Sequence, residues 1–331
     1  MKVLLAKSYL RRFRVAHILF IDPIEKLNIK KDSSLMAAIS FQKQNKEVYL
    51  LFEEDFYVNN LKETKLRVYD FEGKMKEDGY YIDQFSLKKA KEVKVSRNDT
   101  IHMRIDPPYD MRYHRYLWML DFISIASGCN VVNNPVGIMK RNDKIEAFKQ
   151  KKSVDSFVGA SRQGFEQYVE ELKEQGCDEI ILKPLDLYSG IGVEKFSISD
   201  EKLIQKFTNK VEEYHGAIIA QPFLKAVYDG EYRAVYFDGN EVGSIMKRPK
   251  DGEFLTNIAQ GAAYEKVELP PGVKESCDQT ARELLKDGIR IIAFDVLGEA
   301  ITEVNITCPG LFVEVSYANK KNLADLYASL F

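Results

Sequence analysis

Near the C-terminus, two carboxylates and an amide are spaced for divalent-cation chemistry. Asp295 sits at the end of the apolar run Ile291 to Val296. Glu303 and Asn305 lie two apart in Ala300 to Asn305, so strand alternation puts both on one face. A turn at Gly298-Glu299 that pairs the two runs brings Asp295 beside them. Hard oxygens of this kind, completed by water and phosphate, are what Mg²⁺ takes. A solvent-facing polar stripe on an edge hairpin fits the same spacing. Upstream, Ile180 to Pro184 delivers Lys183 at the end of an apolar strand, just before the glycine-bearing stretch Leu185 to Gly192. A fixed ammonium followed by lightly covered backbone N–H groups can hold phosphate, although an ordinary turn reads the same way. Gln221-Pro222-Phe223-Leu224 closes another apolar strand and offers a wall for an adenine ring, or simply a strand leaving a core. Arg233, in Asp229-Gly230-Glu231-Tyr232-Arg233, suits a γ-phosphate, an acyl phosphate or an exposed cross-strand ion pair.

Positioning these groups requires several αβ units. Val15 to Ile21 reads as a strand, and Asp32-Ser33-Ser34 caps a helix carrying Leu35, Ala38, Ile39 and Gln42. Strands follow at Glu47 to Phe52, Thr100 to Ile105 and Asn130 to Asn133, with an aromatic-rich helix over Arg112 to Ala126. This alternation predicts a parallel sheet with crossover helices. Asn60 to Lys94, charged and poor in aliphatics, reads as a hairpin inserted over the surface. Next come a helix at Gly164 to Glu174, strands at Glu179 to Lys183, Val193 to Ser197 and Ala217 to Gln221, and a helix from Ser199. Asp238-Gly239-Asn240 joins Glu231 to Phe237 and Glu241 to Met246 as a hairpin. Pro249 to Ala263 is a loop with glycines near its ends, and Lys274 to Asp287 a helix before the acidic strand pair. The expected fold class is α/β plus α+β.

The composition excludes several function classes. With 331 residues, 45% hydrophobic, the chain can fill more than one core. Its 48 Lys and Arg against 50 Asp and Glu create no global field for nucleic acid or an anionic membrane. No apolar run reaches bilayer length, and Met1 to Phe13 lacks a small-residue cleavage site, so a cytoplasmic protein is expected. Cys129, Cys177, Cys277 and Cys308 form no CxxC pair and read as reduced thiols. His17, His102, His114 and His215 are scattered, which argues against a histidine-ligated metal.

The order of the motifs carries more than any one of them. DPIEKLNIKKDSS (Asp22 to Ser34), MRIDPPYD (Met103 to Asp110), NDK (Asn142 to Lys144), ILKPLD (Ile181 to Asp186), DGEYR (Asp229 to Arg233) and FDVLGEAITEVNIT (Phe294 to Thr307) together resemble bacterial glutathione synthetase, from about Val15 to Glu314. The resemblance implies an ATP-grasp fold with an N-terminal Rossmann-like αβ domain (1–135), a central ATP-grasp subdomain (136–223) and a C-terminal subdomain with the magnesium site (224–331). It implies an enzyme that uses ATP and two Mg²⁺ ions to join a carboxylate to an amine through an acyl phosphate, with γ-glutamylcysteine and glycine as substrates. Lys144 and Lys183 would bind ATP phosphates, with Tyr188, Ser189 and Gly190 as the phosphate loop and Gln221, Pro222, Phe223 and Leu224 at the adenine. Asp295, Glu303 and Asn305 would take the metal, Asn305 also touching ATP. Arg233 and Lys183 would be catalytic. Asp22, Ser33, Arg104, Asp106, Lys247, Asn257, Pro309, Gly310 and Glu314 would meet the substrates, Glu314 through an ammonium. The partners are then small molecules, with a homo-oligomer possible. Pro249 to Ala263 would be a lid that keeps water from the acyl phosphate. Leu255 and Ala263 stand where the resemblance expects arginines, and Cys308 where it expects serine. Two other readings therefore stand beside the first: the same mechanism with a different donor or acceptor, and a nucleotide-binding regulatory protein without turnover.

Overall fold

The computed structural model describes residues 15–258 and 261–331, so Met1 to Phe13, with its expected lack of a cleavage site, lies outside the described residues. The first sheet is built from β1 (Ala16–Ile21), β2 (Glu47–Leu51), β3 (Lys65–Met75), β4 (Ile82–Lys94), β5 (Thr100–Arg104) and β6 (Asn130–Val132), in the order β4-β3-β2-β1-β5-β6. Its β2-β1-β5-β6 core is parallel, as the alternation predicted. The charged insertion is the antiparallel hairpin β3–β4 at one edge. The crossovers are α1 (Ser33–Lys43) and α2 (Met111–Ser127). Each starts on an aspartate: Asp32 accepts from the Leu35 N–H at 2.7 Å and Asp110 from that of Tyr113 at 2.9 Å. Two short helices, α3 (Pro135–Met139) and α4 (Asp143–Phe148), lead out of this sheet.

The second sheet is antiparallel, β7 (Phe157–Gly159), β8 (Glu179–Pro184), β9 (Glu194–Ser197) and β10 (Ile218–Pro222), in the order β7-β10-β8-β9. Helices α5 (Arg162–Glu174) and α6 (Leu203–Glu213) cover it, and Phe165 stacks on Phe207 with ring centroids 4.1 Å apart. Helix α6 begins at Leu203 rather than at Ser199, because the Asp200 side chain draws the Lys202 N–H and the Lys206 ammonium into a preceding turn.

The third sheet contains β11 (Glu231–Phe237), β12 (Asn240–Arg248), β13 (Ala263–Lys266), β14 (Ile291–Leu297) and β15 (Ala300–Asn305), in the order β13-β12-β11-β14-β15. At the β11–β12 turn Asp238 and Gly239 both have positive φ, 47° and 78°, which matches the right-handed twist of a hairpin. Helix α7 (Pro271–Lys286) starts three residues before the expected Lys274, with proline in its first turn, where the missing N–H costs nothing. Helices α8 (Phe312–Asn319) and α9 (Leu323–Ser329) end the chain. Sequence reading found no signal for β7, β13, α3, α4, α8 or α9, all eight residues or shorter. Among the described residues no helix is long and apolar enough to cross a membrane.

Candidate active site

Strand β8 alternates buried Ile180 and Leu182 with residues facing a cavity, so Lys183 reaches the cavity wall at the strand's end. The surrounding protein lowers its pKa to about 8: burial is the main cause, and attraction to Glu303 offsets it in part. Across the ladder Lys183 lies opposite Ile219 of β10, and β10 then delivers Gln221, Pro222, Phe223 and Leu224 to the same wall. Lys144 enters from α4, whose Asn142 cap accepts from the Lys144 N–H at 3.0 Å. Its ammonium lies 2.5 Å from the Leu187 carbonyl and 3.1 Å from Glu303 Oε1.

The acidic strand pair forms as expected, with Asp295 of β14 opposite Glu303 of β15. Asp295 is buried and fully engaged. Its Oδ2 accepts from Arg233 Nη1 at 2.6 Å and from Asn305 Nδ2 at 2.9 Å, and its Oδ1 from Lys247 Nζ at 2.8 Å. Burial would push this carboxyl up, but Arg233 and Lys247 outweigh it and hold it below the usual range. Lys247 also pairs with Glu231 at 2.6 Å, and Glu231 accepts from the Thr256 hydroxyl. Glu231 itself is pushed up, by burial first and by Asp295. The result is a closed network of alternating sign.

The loop at Tyr188 to Gly190 turns through two consecutive positive φ values, 54° at Ser189 and 76° at Gly190. The segment 249–258 rests on it. The positive φ at Gly190 is what favours glycine there, and a Cβ would stand 3.3 Å from a Leu255 methyl. Asn257 Nδ2 donates to the Ser189 carbonyl at 3.0 Å, and the rings of Phe254 and Phe223 meet edge to face at 5.9 Å.

At the far end, Arg104 is locked in plane by Ser34 Oγ at 3.0 Å and the Pro309 carbonyl at 2.9 Å. Ser33 Oγ accepts from the Phe312 N–H at 3.1 Å. Asp22 accepts from the Asp106 N–H at 2.7 Å, and Cys308 Sγ lies 3.4 Å from the Arg104 carbonyl. Burial pushes the Cys308 thiol well up, which keeps it a packing group rather than a nucleophile. Glu314 is buried, 3.5 Å from Lys31 through Oε1, while its Oε2 has no hydrogen-bond partner.

One cavity of about 520 Å³ gathers these groups. Of the residues singled out in the sequence, Lys144, Lys183, Tyr188, Ser189, Gly190, Gln221 to Leu224, Arg233, Lys247, Asn257, Asp295, Glu303 and Asn305 line it. So do Ser33, Arg104, Asp106, Gly310 and Glu314. Asp22 and Pro309 are not in the lining; they stand behind it, holding Asp106 and Arg104. Sequence reading missed Glu231, Thr256, Asp143 and Lys31. Glu231 was within reach, since it lies two residues before Arg233 and so on the same face of β11. Asp143, held by the Ile306 N–H at 3.0 Å and Thr307 Oγ1 at 2.9 Å, ties α4 to the end of β15.

The sequence model of the prokaryotic glutathione synthetase ATP-grasp domain matches residues 142–320, and that of the N-terminal domain of the same enzymes matches 15–139. The chain belongs to the prokaryotic glutathione synthetase family. Among relatives, it is 27% identical to glutathione synthetase of Coxiella burnetii over 293 residues, 87% of each chain. It is 30% identical to that of Parasynechococcus marenigrum over 229 residues, 69% of this chain and 72% of the other. Among solved structures, the D-cycloserine synthetase DcsG superposes with a TM-score of 0.64 at 14% identity, covering 95% of this chain and 99% of that one. These likenesses establish the ATP-grasp fold. As a member of the glutathione synthetase family, the chain is an ATP-dependent carbon–nitrogen ligase.

Proposed function

We propose that this chain joins γ-glutamylcysteine to glycine, phosphorylating the carboxylate with ATP and releasing ADP and phosphate. The observation that carries the proposal is the set of charged groups gathered on one cavity. Lys144, Lys183, Arg233 and Lys247 line it together with Glu231, Asp295 and Glu303, and so do Arg104 and Glu314, whose Oε2 has no hydrogen-bond partner. Adenine would lie along Gln221 to Leu224. Lys144 and Lys183 would take the phosphates, and Arg233 would face the transferring group, whose spread negative charge needs fixed cations more than an acid–base pair. Arg104 would orient a substrate carboxylate, and Glu314 would meet an ammonium that arrives with a substrate.

Asp295, Glu303 and Asn305 all offer hard oxygens. Both Asp295 oxygens are engaged by Arg233, Asn305 and Lys247, so a cation there would displace one of these contacts. Asn305 Nδ2, spent on Asp295 and the Ala293 carbonyl, leaves its Oδ1 as the atom a cation would take. Among the described residues no three His, Cys, Asp or Glu form a metal cage. This composition fits Mg²⁺, which binds through one or two carboxylates and shares its remaining ligands with phosphate and water. Bound there, Mg²⁺ would neutralise charge on the phosphates. The amine then attacks the acyl carbon, the acyl–oxygen bond to phosphate breaks, and the proton lost from nitrogen can leave with the phosphate. The lid's role is to keep water out of that step.

A second reading retains the mechanism and changes the donor or acceptor. Leu255 supports it, because the lid position expected to carry an arginine instead packs an apolar side chain on Gly190. Measuring ADP release with Mg²⁺ and ATP decides between them. Release with γ-glutamylcysteine plus glycine is expected. Silence with that pair and release with another dipeptide or amino acid would replace the first reading by the second. Glu303→Gln should abolish ADP formation, and undiminished turnover would remove Glu303 from the metal site.

A further inference from the structure

The segment 249–258 holds the charged residues Lys250, Asp251 and Glu253, and none of them lines the cavity. The side chains it presents there, Phe254, Leu255, Thr256, Asn257 and Ile258, are all uncharged. Polyphosphate therefore gains no cation when this segment is in place. Most of these side chains are committed to protein groups. Leu255 packs on Gly190, the Thr256 hydroxyl donates to Glu231, and Asn257 Nδ2 donates to the Ser189 carbonyl. Ile258 packs against the hydrophobic cluster that contains Ile245.

Phe254 reaches elsewhere, to the end of β10. Its ring meets that of Phe223 edge to face, with centroids 5.9 Å apart and planes at 88°. Tyr228 meets Phe223 at 5.7 Å and 69°, and the Lys195 ammonium, paired with Glu179 at 2.7 Å, stands 4.3 Å from the centre of the Phe223 ring. Of these three neighbours only Phe254 lines the cavity. Ile181, opposite Gln221 in the β8–β10 ladder, lines it too, so the wall is apolar on both strands.

We infer that Phe254 is a base-contact residue, through which the segment 249–258 docks on adenine and stays indifferent to the number of phosphates attached. The inference rests on the reading that adenine lies along Gln221 to Leu224. A flat base entering beside Phe223 offers the Phe254 ring the stacked or edge-on contact that aromatic groups favour. The phosphates meet Lys144 and Lys183, which belong to other elements. ADP should then hold the segment in place as well as ATP does. That matters for the reaction, because the acyl phosphate exists only after ATP has become ADP, and cover that depended on the γ-phosphate would lift at that moment.

Titration calorimetry and amide hydrogen exchange over 249–258 test this on the full-length protein with Mg²⁺, using ATP, ADP and tripolyphosphate. At saturation ATP and ADP should slow exchange equally, and tripolyphosphate should leave it unchanged. Phe254→Ala should weaken ATP and ADP by about tenfold, keep the affinity for tripolyphosphate, and abolish the slowing of exchange. Phe254→Tyr, which keeps the ring, should behave as the unaltered protein. Slowing by tripolyphosphate, slowing by ATP but not by ADP, or an unaffected Phe254→Ala would overturn the inference and leave the ATP reading standing. A protein that binds neither nucleotide would overturn both.

Discussion

Lys183 is a buried ammonium whose charge burial disfavours, and its pKa of about 8 sets the pH at which the cavity loses that charge. In the proposed role, phosphate binds the protonated form, so ATP affinity should hold below pH 8 and fall above it, by up to about tenfold per pH unit. Titration calorimetry across that range tests this. Lys183→Arg, which keeps its charge, should flatten the profile; an equally steep fall in that variant would assign the effect to another group. Lys183, Arg233 and Asp295 were legible in the sequence because each sits in or ends an apolar strand, where alternation decides which way a polar side chain points. Thr256 was not, because its role comes from Glu231 on another element. Glu231 shares the face of Arg233 by alternation, but its partner Lys247, in register on β12, shows only in the structure.

The segment 249–258 acts as an element, and its hold on the Tyr188 to Gly190 loop and the neighbouring cavity wall is divided among several weak contacts. Leu255 packs on Gly190, Asn257 bonds the Ser189 carbonyl, Thr256 bonds Glu231, and Phe254 meets Phe223 under the Lys195 ammonium. Removing the half-buried Leu255 side chain should cost about 1 kcal/mol of closure, roughly a fivefold rise in the open population. Leu255→Ala should therefore release more phosphate than amide product as water reaches the acyl phosphate. Protease should also cut sooner within 249–258. A one-to-one ratio of phosphate to amide in the variant would mean that water exclusion rests elsewhere. The length and flanking glycines of this loop were readable in the sequence. Its end was not: Ala263–Lys266 becomes a strand only through its pairing with Ile245 to Arg248, a tertiary partner that four residues cannot announce.

At the scale of the whole molecule, the end of the chain closes on its beginning. Helix α9 packs on α1, with Lys43 on Asp325 at 2.8 Å and Lys46 on the Ala328 carbonyl at 2.6 Å. Under it Tyr327 OH meets His102 Nδ1 at 2.7 Å, and His102 Nε2 meets His17 Nδ1 at 3.2 Å. The histidines are 85 positions apart in sequence and looked scattered. The parallel pairing of β1 with β5 is what brings them together, so this buried chain was invisible until the sheet order was known. Both are held neutral. Burial, then Lys46, lowers the His17 pKa to about 4 against the pull of Asp99, and burial, with His17, Arg104 and Arg290 nearby, holds that of His102 well below its usual value. The unfolded chain takes up these protons from about pH 6.5 downward while the native state refuses them, so this stability is present above pH 6.5 and lost as pH falls toward 4. His17 alone should cost about 2 kcal/mol by pH 5 and about 3 kcal/mol by pH 4. Melting temperature should therefore drop steeply between pH 6.5 and 5. His17→Phe keeps the stack on Phe41, 4.3 Å away, and removes one proton site, so it should reduce that drop by the His17 share while His102 keeps its own. An unchanged slope in the variant would remove His17 as an acid-sensitive group.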